Sequence, residues 1–238
     1  MIRAIIWFAY FWSYLFYTAF ILIKVKALDK QNKLVQRDEL THETARKWAK
    51  AIVGFSGSSI KVIGQENIPK DGGVLFVANH QSNFDIPILI GFVTRPKGFI
   101  AKLELMKVPV FSSWMKYIGC IFIDRGDVRQ SLKAIKEGAE RLVEGHALVI
   151  FPEGTRSKDG IVGEFKPGSL KLAMKSKVPI IPVTIKGSMN MMPKDKFVVR
   201  PSKVEVIISP PIIIDEIYEK DSSKITEKVR NIIIDNLK

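Results

Sequence analysis

The sequence predicts an α/β protein, a mixed and largely buried sheet flanked by helices, preceded by an N-terminal two-helix membrane anchor. Three observations predict it. From Ser59 onward apolar runs of strand length alternate with helical patterns. Ala4–Ile23 contains no charged residue. The chain of 238 residues is 47% hydrophobic, enough to bury a sizeable core and to exclude a disordered polymer. We divide it into a membrane-associating segment, 1–58, and an α/β domain, 59–238.

As a helix, Ala4–Ile23 is about 30 Å long, the thickness of a bilayer's hydrocarbon. It is long for the apolar region of a signal peptide, and Lys24 and Lys26 stand where a cleavage site needs small neutral residues. Trp and Tyr prefer the headgroup interface, so Trp7 and Trp12 are candidate membrane contacts, and the spread of aromatic residues along the whole run suits a shallow or re-entrant helix. Lys24, Lys26, Lys30 and Lys33 follow, a basic flank that places the bulk of the chain on the cytoplasmic face of the cell membrane. Asp38 to Phe55 is amphipathic, with Leu40, Trp48, Ile52 and Phe55 on one stripe and Glu43, Arg46, Lys47 and Lys50 on the other side. It reads as a helix lying on the membrane with Trp48 as a third contact, and more plainly as a helix covering the core.

Ile60–Ile63, Val74–Ala78, Phe99–Ala101, Cys120–Ile123, Ala147–Phe151, Ile180–Ile185 and Val204–Ile208 read as strands; Val128–Glu144, Ser169–Lys177 and Ser222–Leu237 read as helices. Between the apolar runs ending at Val77 and starting at Ile86 lies Ala78-Asn79-His80-Gln81-Ser82-Asn83-Phe84-Asp85. Asp85, with Pro87 behind it, reads as the N-cap of a helix, which puts His80 and Asp85 on one strand-to-helix turn. An imidazole oriented by a carboxylate can take a proton from a hydroxyl. A capping Asp beside a loop histidine is the plainer alternative.

With 37 basic and 24 acidic residues the net charge is +13, which favours anionic partners: phosphorylated substrates, an anionic membrane or nucleic acid. Nucleic acid has only the charge in its favour. Cys120 is the single cysteine, which excludes a disulfide framework. His42, His80 and His146 are far apart and no metal-ligand spacing occurs. No Gly-x-Ser-x-Gly elbow of a serine hydrolase is present.

Two further segments carry a buried strand out to a charged end. Gly119-Cys120-Ile121-Phe122-Ile123-Asp124-Arg125 is one, and Phe151-Pro152-Glu153-Gly154-Thr155-Arg156-Ser157 the other. In the second, Gly154 permits a tight turn with exposed backbone donors, and Arg156 offers a planar fork that matches phosphate. Arg125 and Arg156, each just past a strand end, could converge on one anion. Together with Asn79-His80 and Asp85, and with Val178-Pro179-Ile180-Ile181-Pro182-Val183, these segments form four blocks in order. In them the chain resembles the glycerolipid acyltransferases, and most closely the 1-acyl-sn-glycerol-3-phosphate acyltransferases, from about Ile60 to Ile208.

The resemblance implies transfer of a fatty acyl group from acyl-CoA or acyl carrier protein to lysophosphatidic acid, giving phosphatidic acid at a membrane, with no metal or cofactor. His80 would be the general base and Asp85 its orienting carboxylate. Arg125, Glu153, Gly154, Thr155 and Arg156 would form the acceptor site: the arginines on the phosphate, Glu153 ordering them, Gly154 giving close backbone approach. Lys102 is a third candidate cation. Leu103–Ile118 is expected to wall an acyl channel, through Leu105, Met106, Val108, Val110, Phe111, Trp114 and Met115. The loop Gly187–Arg200 is expected to touch the membrane or the donor, and Pro179 and Pro182 to shape an edge of the fold. The alternatives are another acceptor, such as glycerol 3-phosphate or a different lysophospholipid, and a non-catalytic basic membrane-binding module.

Overall fold

The computed structural model describes residues 1–124, 126–166, 168–216, 218 and 221–238. Its uncharged N-terminal stretch is a single helix, α1 (Ile2–Lys30), followed at once by α2 (Leu34–Phe55). Among the described residues α1 is the one helix long and apolar enough to cross a membrane. One side of it, with Ala4, Trp7, Leu15, Leu22 and Val25, is buried in the protein, and the other leaves Ile5, Trp12, Phe16, Phe20 and Ile23 exposed.

Of the expected pair of membrane helices, α1 is long and apolar enough to span and α2 is not. Trp48, Ala49, Ile52 and Val53 of α2 are buried in the same core as the sheet, so most of its apolar stripe is covered by protein, while Phe55 at its end stays exposed. The correction extends to the tryptophans. Trp7 packs against Phe84 and donates its indole N–H to Ile52 O at 2.9 Å, and Trp48 is 9% exposed, so neither faces lipid; Trp12 remains on the open side.

The described residues form one seven-stranded sheet, β1 (Ser59–Ile63), β2 (Val74–Ala78), β3 (Gly98–Lys102), β4 (Ile121–Ile123), β5 (Ala147–Ile150), β6 (Ile180–Lys186) and β7 (Lys203–Ile208), in the order β1-β7-β6-β2-β5-β3-β4. All neighbours are parallel except β6 and β7, so the sheet is mixed, as expected. Alternation within β2 feeds two cores. Val74, Phe76 and Ala78 pack with α1, α2 and α3 (Asp85–Phe92), and Leu75 and Val77 pack with α5 (Val128–Val143), α6 (Lys171–Ser176) and α7 (Ser222–Leu237). A short helix that the sequence reading passed over, α4 (Phe111–Tyr117), crosses the first face. Pro182 lies inside β6, an interior strand, and not at an edge. Its carbonyl accepts from Ser209 N on the β7 side, and the β6–β7 register begins at Val183, so the proline, which has no N–H to return to Ser209, stands where that pairing starts.

Lys97 is buried between α3 and β3 and donates its ammonium to Leu89 O and Val93 O, at the negative end of α3. Burial, aided by the neighbouring Arg95, pushes its pKa down from 10.5 to about 7. Between those values the unfolded chain holds a proton that the folded chain lacks, so stability rises with pH across the window, by up to about 1.4 kcal/mol per pH unit. Lys97→Met should flatten that slope in urea unfolding of the detergent-solubilised protein. An unchanged slope would refute the assignment.

Candidate active site

Because β2, β3, β5 and β6 run parallel to one another along the sheet, their carboxyl ends open on the same edge. The turn after β2 is fastened there before any chemistry is considered. Asn79 exchanges two hydrogen bonds with Ile185 of β6: its Nδ2 donates to Ile185 O at 2.9 Å, and Ile185 N donates to its Oδ1 at 2.8 Å. Ser82 Oγ donates to Met192 O, and His80 O accepts from Ser157 N.

Asp85 is the first residue of α3 and not its N-cap; its carboxylate turns back into the loop. The Oδ2 atom accepts from Gln81 N at 2.7 Å and Ser82 N at 2.8 Å, and lies 2.8 Å from His80 Nδ1. Oδ1 accepts from Ser188 Oγ, just past β6. A carboxylate can only accept, so Nδ1 carries the proton and Nε2 is left as the basic atom. The ring, 15% exposed, stacks on Phe151 with centroids 4.1 Å apart. The expected pairing of His80 with Asp85 is thus formed.

Gly154 adopts a φ of +71°, the left-handed conformation that a tight turn after β5 requires. Among the described residues Glu153 pairs with no arginine. Its Oε1 accepts from His80 N at 2.8 Å and its Oε2 from Gly163 N at 2.9 Å, so it orders the loop of His80. Burial raises its pKa above the usual carboxylate value, against the pull of those two amides.

A cavity of about 740 Å³ adjoins His80. Lys102, Gly154, Thr155 and Arg156 line it together with Lys166 and Lys194, and no carboxylate is among the described lining residues. Much of the remaining wall is apolar: Ile86 and Ile90 of α3, Phe99 of β3, Trp114 and Met115 of α4, and Leu15 and Trp48 of the N-terminal helices. Leu105, Phe111 and Ile118 join this wall as expected of Leu103–Ile118, whereas Met106 points to solvent at 40% exposure and Val108 and Val110 do not line it. Arg125 lies outside the described residues. Cys120 also lines the cavity, but burial pushes its thiol pKa up to about 12, which leaves it without a thiolate.

Sequence reasoning missed Ser188 and Lys166, and singled out Lys194 only within a loop expected to touch the membrane or the donor. Lys194 Nζ donates to Thr155 Oγ1 at 2.9 Å and Arg156 O at 3.0 Å, tying the loop after β6 to the turn after β5. From that same loop Phe197 stacks on Phe8 of α1, while Met191 and Met192 are buried.

The model of the Acyltransferase family matches residues 59–186. A probable 1-acyl-sn-glycerol-3-phosphate acyltransferase of Mycoplasma pneumoniae is 38% identical over 187 residues, 74% of this chain and 70% of that one. A 1-acyl-sn-glycerol-3-phosphate acyltransferase of Borreliella burgdorferi is 31% identical over 183 residues, 77% of this chain and 73% of that one. The crystal structure of the 1-acyl-sn-glycerophosphate (LPA) acyltransferase PlsC from Thermotoga maritima superposes with a TM-score of 0.84 at 32% identity, over 99% of this chain and 95% of that one.

Proposed function

The chain belongs to the 1-acyl-sn-glycerol-3-phosphate acyltransferase family, and from that premise we propose how its own residues perform the transfer. The reaction moves a fatty acyl group from acyl-CoA or acyl carrier protein to the sn-2 hydroxyl of lysophosphatidic acid and yields phosphatidic acid. The observation that carries this reading is the His80–Asp85 pair beside a cavity whose lining combines several cations with a largely apolar wall. His80 Nε2 takes the hydroxyl proton as the oxygen attacks the thioester carbon. Asp85 steadies the imidazolium that forms. Collapse of the tetrahedral adduct breaks the C–S bond, and the imidazolium returns the proton to the departing thiolate. No enzyme nucleophile takes part.

Arg156, Thr155, Gly154 and Lys102 hold the acceptor phosphate, joined by Arg125, and the apolar wall holds the acyl chain. Residues 1–58 seat the domain on the cytoplasmic face of the cell membrane, with the open side of α1, including Trp12, in lipid.

Thiol release from a long-chain acyl-CoA should require lysophosphatidic acid. Release that ignores the acceptor would make the protein a thioesterase, and silence with both coenzyme A and carrier-protein donors would leave the membrane module. Arg156→Ala removes a charged hydrogen-bond donor worth about 1.5–3 kcal/mol, a roughly 10- to 100-fold rise in KM for lysophosphatidic acid. An unphosphorylated acceptor should be far less affected. Equal losses on both acceptors would remove Arg156 from the phosphate site.

A further inference from the structure

We infer that Arg230, on the C-terminal helix α7, is a positioning residue for His80, acting through the peptide group between Val162 and Gly163 and through Glu153. The inference rests on the reading of His80 as general base. Arg230 does not line the cavity. Its guanidinium instead forks onto two consecutive carbonyls, Nε donating to Gly163 O at 3.0 Å and Nη2 to Val162 O at 3.1 Å.

The second of these bonds matters because of what the same peptide does at its other end. The N–H of Gly163 donates to Glu153 Oε2 at 2.9 Å, and Glu153 Oε1 accepts from His80 N at 2.8 Å. In a planar trans peptide the C=O and N–H point in opposite directions, so holding Val162 O fixes the aim of the Gly163 N–H. A cation on the carbonyl oxygen also polarises the peptide and strengthens its N–H as a donor.

Glu153 depends on that donor. It is buried, and among the described residues it forms no ion pair with Lys or Arg. The titratable groups that bear on it are His80, which favours its charge, and Asp85, which opposes it; Arg230 reaches it only through the peptide. Burial already raises its pKa, and the two amide bonds restrain that rise. Without Arg230 the Gly163 donor loosens and the carboxyl takes a proton at a pH where the native protein keeps it ionised. The His80 amide then loses a full-strength acceptor, and the ring shifts against the bound hydroxyl.

The test compares wild type, Arg230→Met and Arg230→Lys for acyl transfer from acyl-CoA to lysophosphatidic acid across roughly pH 5 to 9, with KM for both substrates and thermal unfolding measured alongside. Arg230→Met should lower kcat about tenfold at neutral pH with little change in KM. The deficit should shrink as pH rises and Glu153 ionises, and Arg230→Lys should fall between. Adding Glu153→Gln to Arg230→Met should abolish the recovery at high pH. A wild-type kcat in Arg230→Met, or an equal loss at every pH together with earlier unfolding, overturns the inference and leaves Arg230 as a strut of α7. Hydrogen exchange at the His80 amide reads the same link without turnover and should be faster in Arg230→Met. Absence of transfer by the wild type itself would sink the functional reading, while the exchange rates would still decide the positioning.

Discussion

Replacing His80 with alanine should lower kcat by about 10²–10⁴-fold, the contribution of a placed general base, while KM and thermal unfolding stay close to wild type. The asymmetry follows from how the residue is held. Its backbone N–H and C=O bond to Glu153 and Ser157, and those bonds survive truncation of the side chain. Among the described residues the ring itself makes one hydrogen bond, to Asp85, and one stacking contact, with Phe151. Parallel measurement of acyl transfer and of the unfolding midpoint checks both halves. A variant that keeps more than roughly a tenth of wild-type kcat would remove His80 from the chemistry.

Asp85→Ala should be as inactive and also markedly less stable. Its carboxylate is fully buried and takes the amides of Gln81 and Ser82, the hydroxyl of Ser188 and the His80 ring nitrogen. Each buried donor left without an acceptor costs about 1–3 kcal/mol, so a loss of about 3 kcal/mol or more is expected. Asp85→Asn separates the two roles. Its amide oxygen in the place of Oδ2 still accepts from the loop amides and from His80 Nδ1, and its nitrogen meets the Ser188 hydroxyl, which preserves stability, but a neutral amide no longer supplies the negative charge that steadies the imidazolium. Chemical denaturation beside kinetics distinguishes them: Asn near wild type in stability yet inactive, Ala deficient in both. An active Asp85→Asn would mean that the carboxylate only braces the loop.

The seven strands, and His80 with Asp85 on one turn, were legible because they are local. Strand-length apolar runs and a five-residue separation declare themselves without tertiary information. What escaped depends on sheet order. Ser188 meets Asp85 only because β6 lies beside β2, and nothing within a span of 103 residues announces that neighbourhood. Glu153 was placed in the right turn, but its bonds to the His80 and Gly163 amides were not legible, because the loop carrying Gly163 folds back over it. Periodicity revealed the apolar stripe of α2, yet a stripe that covers a core and one that lies on lipid look alike in sequence.

Helix α1 stands between the cavity and its own outer surface, since Leu15 and Thr18 line the cavity while Phe16, Tyr17 and Phe20 are exposed. With that outer surface in lipid, an amphiphile reaches His80 from a two-dimensional phase. Its supply is then counted per area of bilayer and not per volume of water, so inert phospholipid added to the same vesicles dilutes the substrate although its bulk concentration is unchanged.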